Sequence, residues 1–175
     1  MRGRNEQGFT LIELLIVVAI ISIIAAIAVP GLLRARMTGN ETSAIASLKV
    51  TTSSQVAYSA VCGNGAYAAT FVVLGTGPVP GTEGFISADL GYSATPQKTG
   101  FNFTLSAGAG SAAGPNDCNG SGTITAYYAT AVPIGIGTTG SRGFATNNGY
   151  AIFQDTTGAA PTEPFTVGGT VTAIQ

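Results

Sequence analysis

The chain has 175 residues, enough for one domain with a modest core plus an appendage. Charged residues make up 9% of it, against ~25% in an ordinary soluble domain, and the formal net charge is −1; this argues against a freely soluble monomer and leaves no electrostatic footprint for nucleic acid. Histidine is absent, which excludes His-based acid–base catalysis, Ser–His and Cys–His dyads and His-ligated metals, so no catalytic residue and no cofactor is expected.

A polar leader, residues 1–8 (MRGRNEQG), comes first and carries Arg2, Arg4 and Glu6. The run FTLIELLIVVAIISIIAAIAV, from Phe9 to Val29, follows at once. As a helix it is about 31 Å long and matches a ~30 Å hydrocarbon core. The arginines on its N-terminal flank keep the leader in the cytosol, so the chain after Val29 lies outside the inner membrane. Glu13 is the anomaly of the run. A carboxylate inside a membrane span costs about 3 kcal/mol on insertion scales and calls for a partner, and no other side chain in the run is charged. Cleavage after Gly8 would supply one, because it frees an α-amino group at Phe9, one helical turn from Glu13.

The segment GFTLIELLIVVAIISIIAAIAVP closely resembles the N-terminal signature of type IV pilins and type II secretion pseudopilins. The resemblance implies that a prepilin peptidase cuts after Gly8 and methylates the new terminal residue, Phe9. It also implies that Glu13 pairs with the terminal amine of a neighbouring subunit, and that the helix bends or partly melts near Pro30. The partners implied are the peptidase, an inner-membrane assembly platform and further copies of the chain. The precursor would sit in the inner membrane and the product in an extracellular or periplasmic filament. The expected function is therefore structural, a subunit of a pilus-like fibre for adhesion, motility or DNA uptake. A type II secretion pseudopilin is the alternative within the family, and a membrane-anchored periplasmic enzyme or binding domain the alternative outside it. An ordinary signal peptide cut at Ala26-Ile27-Ala28 is opposed by Glu13 and by the length of the run. A plain anchor leaves Glu13 and the Gly8–Phe9 junction unexplained, and a buried core helix is opposed by apolarity on every face.

Residues 30–61 continue as an amphipathic helix. Ala44, Ile45, Leu48, Thr52, Val56 and Ser59 follow three-to-four spacing and predict a weakly apolar stripe, with Arg34, Arg36, Glu41 and Lys49 on other faces. Pro30, Gly31 and Gly39 weaken the middle of this rod, either as a static kink or as a hinge. Cys62-Gly63-Asn64-Gly65 is a helix stop.

Residues 62–175 form the predicted head, giving an α+β architecture of one long helix on a small antiparallel sheet. The stretch 62–99 reads as loop. Strands are predicted at Phe101–Leu105, Thr123–Val132, in a hairpin from Arg142 to Gln154 around Asn147-Asn148-Gly149, and at an edge from Val167 to Ile174. Tyr127, Tyr128 and Phe153 read as core or sheet residues. Cys62 and Cys118 match no metal spacing and read as one disulfide closing a long loop, with two unpaired buried thiols as the alternative. Asp117 opens a D-x-N-x-S-G calcium-like sequence, but Tyr128 stands where the bidentate acid belongs, so calcium is the weaker reading. Asn40, Asn102 and Asn119 open short glycosylation sequons.

Overall fold

The computed structural model of the protein describes residues 8–174. The predicted leader, with Arg2, Arg4 and Glu6, lies outside these residues except for Gly8. From Leu11 to Val61 the chain is a single α-helix, α1, which continues through Pro30, Gly31 and Gly39. Its end is closed by backbone bonds from Cys62 N and Gly63 N to the Tyr58 carbonyl, followed by left-handed backbone at Asn64 (φ 51°) and Gly65 (φ 86°). The helix stop read from Cys62-Gly63-Asn64-Gly65 is therefore in place.

The chain divides between Arg36 and Met37 into two compact units. In the first, every described residue is exposed, including the whole apolar run from Leu11 to Leu33. This segment is long and apolar enough to cross a membrane, with a mean hydropathy of 3.0 over its most apolar window. The Ser22 hydroxyl donates to the Val18 carbonyl at 2.8 Å, so it needs no water inside hydrocarbon.

In the second unit a six-stranded antiparallel sheet packs against the later turns of α1. Its strands are β2 (Gln97–Lys98), β3 (Phe101–Ala107), β5 (Tyr127–Pro133), β6 (Gly143–Asn147), β7 (Ile152–Asp155) and β8 (Val171–Ile174), and its spatial order is β2-β3-β5-β6-β7-β8. Period-two alternation sends Phe101, Phe103 and Leu105 of β3 inward, as their spacing predicts, together with Tyr127, Ala129 and Ala131 of β5. The small alanines of the central strand leave Phe101, Phe103 and Phe144 on the flanking strands to fill the core against Ala44 and Leu48 of α1. On the opposite face Thr104 and Thr130 face each other across β3 and β5, their hydroxyls 2.6 Å apart.

Three expectations are corrected. Residues 62–99 are more than loop: they hold β1 (Tyr67–Ala68) and two short helices, α2 (Phe71–Leu74) and α3 (Ala88–Gly91), as well as β2. The run Thr123–Val132 is two strands rather than one. Its start, β4 (Thr123–Ile124), pairs with β1 in a separate two-stranded sheet, and β5 begins at Tyr127. The stripe predicted on α1 is rotated: Val56 is exposed, while Glu41, Ala44, Ser47, Leu48, Thr51, Ser54, Gln55 and Tyr58 are buried. The β6–β7 hairpin is present, but its left-handed residue is Tyr150 (φ 64°) and not the glycine before it. The final run contributes β8, an edge strand from Val171.

Candidate assembly site

Gly8, Phe9 and Thr10 precede the first turn of α1, and Phe9 is 89% exposed. Thr10 is the helix cap. Its backbone N–H donates to Glu13 Oε2 at 3.0 Å, its hydroxyl donates to the same oxygen at 2.6 Å, and the Glu13 N–H donates back to Thr10 Oγ1 at 3.3 Å. This is a capping box, in which Ser or Thr and an acid three residues later satisfy each other's free donors at a helix start. The carboxylate also lies at the positive end of the helix dipole. Glu13 thus has a local partner within its own chain, which the search for a charged partner passed over. The Thr-x-x-Glu signal at the start of the apolar run was there to be read. Phe9 stands outside the helix, just before its cap, so its backbone nitrogen and Glu13 do not share a helical turn.

Glu41, expected on a face of α1 away from the apolar stripe, is buried against the segment that leads into β6. Its Oε1 accepts from Ser141 N (2.7 Å), Ser141 Oγ (2.9 Å) and Arg142 N (3.1 Å). Its Oε2 accepts from Arg142 Nε (2.9 Å) and Nη2 (2.6 Å), the fork geometry of an arginine–carboxylate pair. Arg142 also donates to Gln154 Oε1 at 2.7 Å and lies 5.6 Å from the centroid of the Phe144 ring. Burial opposes the charge on Glu41 and is the largest influence on it, yet the bonds from Arg142 and Ser141 together outweigh burial and hold the carboxyl below its ordinary value of 4.5. One residue earlier, Asn40 Nδ2 donates to the Thr139 carbonyl at 2.9 Å. About four turns further on, Gln55 exchanges both hydrogen bonds with the Ala68 backbone, each 2.9 Å.

At the far end of α1, Cys62 and Cys118 form a disulfide across 56 residues of sequence, with their Cα atoms 4.8 Å apart. Beside it the buried Asp117 accepts from Tyr58 Oη (2.8 Å), Asn119 N (2.9 Å) and Ser121 N (2.7 Å). Both oxygens of the calcium-like loop's acid are thus engaged by the protein itself. Among the described residues no group of three or more Asp, Glu, Cys or His side chains is placed to hold a metal. Of the sequon asparagines, Asn40 and Asn119 commit their amide nitrogens to the Thr139 and Gly77 carbonyls.

Residues 3–29 match the family described as the prokaryotic N-terminal methylation motif, and they hold Gly8, Phe9, Thr10 and Glu13 together at the head of an exposed apolar helix. This N-terminal segment is thus similar to the corresponding segment of type IV pilins. The chain is 60% identical over 45 residues to the type IV wide pilus major component PilA4 of Thermus thermophilus. That match covers 26% of this chain and 34% of the relative, so the likeness spans about a third of the relative's length. No solved structure matches the chain. Two glycines of α1 bear on the hinge reading. A Cβ at Gly31 or Gly39 would meet nothing within 4 Å, so neither is glycine for want of room. If they serve to loosen the rod, Gly31→Ala with Gly39→Ala should stabilise it locally by about 2 kcal/mol, slowing amide exchange over residues 30–39 by about 30-fold in micelles. Unchanged exchange would remove the hinge reading and leave a static helix.

Proposed function

We propose that the chain is the structural subunit of a type IV pilus-like filament, made as a membrane-inserted precursor and polymerised through α1 after cleavage behind Gly8 and methylation of Phe9. The observation that carries the reading is the stretch of α1 from Leu11 to Leu33, exposed on every face and carrying one carboxylate, Glu13, in its first turn. Such a surface is stored in lipid and then covered by like helices, where apolar contact alone gives little preference for one arrangement. A polar pair can supply the missing register. In the proposed step the freed amine of Phe9 on one subunit meets Glu13 of its neighbour, which trades part of the Thr10 cap for an ionic partner. The fibre then presents the head, residues 37–174, as its outer coat.

The intact mass of the chain recovered from cells tests the first half of this. A species beginning at methylated Phe9 is expected; a chain still carrying its first eight residues, or one trimmed beyond Ala28, would overturn the reading. Two substitutions test the second half. Glu13→Gln keeps a group able to cap the helix but removes the charge, whereas Glu13→Ala removes both. Both variants should be processed normally, and both should fail to form fibres. Fibres at normal yield from Glu13→Gln would show that the cap suffices and that no charge pairing is used. Long surface fibres containing the protein distinguish a pilus from a short secretion piston, whose loss would instead stop export of other proteins.

A further inference from the structure

We infer that Asn148, in the exposed β6–β7 turn, is a site of spontaneous covalent modification: deamidation through a succinimide, which places a carboxylate and an altered backbone on the head. The described chain contains three Asn-Gly pairs, Asn64-Gly65, Asn119-Gly120 and Asn148-Gly149. Glycine after asparagine favours the reaction, because no Cβ shields the backbone nitrogen that attacks. In each pair the asparagine is exposed, and in each the glycine N–H makes one intrachain bond: to the Ser59 carbonyl at 3.0 Å, to the Asp117 carbonyl at 3.0 Å and to Asn147 Oδ1 at 2.9 Å. Neither exposure nor the state of the nucleophile therefore separates the three.

The side-chain amides do separate them. Asn64 Nδ2 donates to the Asn116 carbonyl at 2.8 Å, and Asn119 Nδ2 donates to the Gly77 carbonyl at 3.1 Å. Each of these bonds must break before the side-chain carbonyl can swing toward the following nitrogen. Gly65 (φ 86°) and Gly120 (φ 81°) are further held in left-handed turns, one against the end of α1 and the other beside the disulfide. The Asn148 side chain makes no hydrogen bond to any described residue. Gly149 is not in the left-handed region, and the constrained backbone of this hairpin falls one residue later, at Tyr150. The amide at Asn148 is thus free to rotate onto the nucleophile.

The Gly149 nitrogen gives its proton to solvent base and bonds to Asn148 Cγ. The Cγ–Nδ2 bond breaks and Nδ2 leaves as ammonia, closing a five-membered succinimide. Water then adds to one of its two carbonyl carbons and cleaves that carbon's bond to nitrogen, giving aspartate or isoaspartate; no oxidant or reductant is consumed. The product adds a negative charge to a chain whose formal net charge is −1.

The test is a timed incubation of the full-length protein in detergent at mildly alkaline pH, followed by peptide mapping that resolves aspartate from isoaspartate. Asn148 is expected to convert about tenfold faster than Asn64 or Asn119, the factor that one net hydrogen bond of roughly 1.4 kcal/mol supplies. In denaturant the three rates should converge, because the protection is structural. Asn148→Gln should abolish the modification in that peptide. Conversion of Asn148 no faster than the other two in the folded protein would overturn the inference, as would continued conversion in the Asn148→Gln variant.

Discussion

Replacing Cys62 and Cys118 by alanine is expected to lower the unfolding free energy of the head by about 4 kcal/mol, from the loop-closure entropy of the intervening chain. For a domain of this size that is a fall in Tm of about 12 °C. The bond joins Cys62, the residue just after α1, to the loop that holds Asp117. That loop has other ties to the same region: Tyr58 Oη to Asp117, Asn64 Nδ2 to the Asn116 carbonyl and Cys118 N to the Cys62 carbonyl, the last at 2.9 Å. These keep the folded geometry after the sulfurs are gone, so the loss falls mainly on the unfolded state. A larger urea m-value in the variant should accompany the lower stability, since a chain freed of its cross-link exposes more surface on unfolding. A variant with unchanged Tm and m-value would mean that the unfolded chain is already compact between these positions.

Glu41→Ala is the second large effect. The substitution leaves Arg142 partly buried with one neutral partner, Gln154, and leaves the Ser141 and Arg142 backbone donors without their acceptor. Breaking a buried pair from one side costs roughly 3–5 kcal/mol. Arg142 is about a third exposed in its side chain, which favours the lower figure. A fall in Tm of about 9 °C is expected by calorimetry. The same pair predicts a pH dependence. The folded carboxyl lies below its ordinary value, so its stabilisation is full above pH 4.5 and is lost as pH falls through the lower folded value. The double variant Glu41→Gln with Arg142→Gln should flatten that part of the acid limb. An acid limb identical to wild type would assign it instead to the other lowered carboxyls of the head, Asp89, bonded first to Lys98, and Asp155, bonded first to the Thr157 backbone.

The membrane-length helix was legible because nothing competes with a long uncharged apolar run, and the lone Glu13 stood out against it. The inward faces of β3 and β6–β7 were legible for a similar reason: Phe101, Phe103 and Leu105 alternate cleanly, and Asn-Gly marks the reversal. The docking face of α1 was not. A reading that counts apolar residues assigns Glu41, Thr51 and Gln55 to solvent, whereas here they are buried and bonded. Ala44 and Leu48 were shared by the predicted and observed faces, but Thr52, Val56 and Ser59 each stand one position beyond Thr51, Gln55 and Tyr58, a rotation of about 100°. The split between β4 and β5 was hidden for another reason. Thr123 and Ile124 find their partners at Tyr67 and Ala68, and no local pattern announces a pairing across so much chain. The donors to Glu41 lie farther still, about a hundred residues along.

A helix seated by directed polar bonds resists differently from one seated on grease. Sliding α1 along its axis by one residue would displace Asn40, Glu41, Gln55 and Tyr58 from their acceptors and donors together. Those bonds are arranged side by side relative to an axial pull, so the load divides among them in shear and none can be opened in turn from one end. A chain pulled along α1 would therefore keep this helix seated on its sheet up to a sharp yield point, with little creep before it.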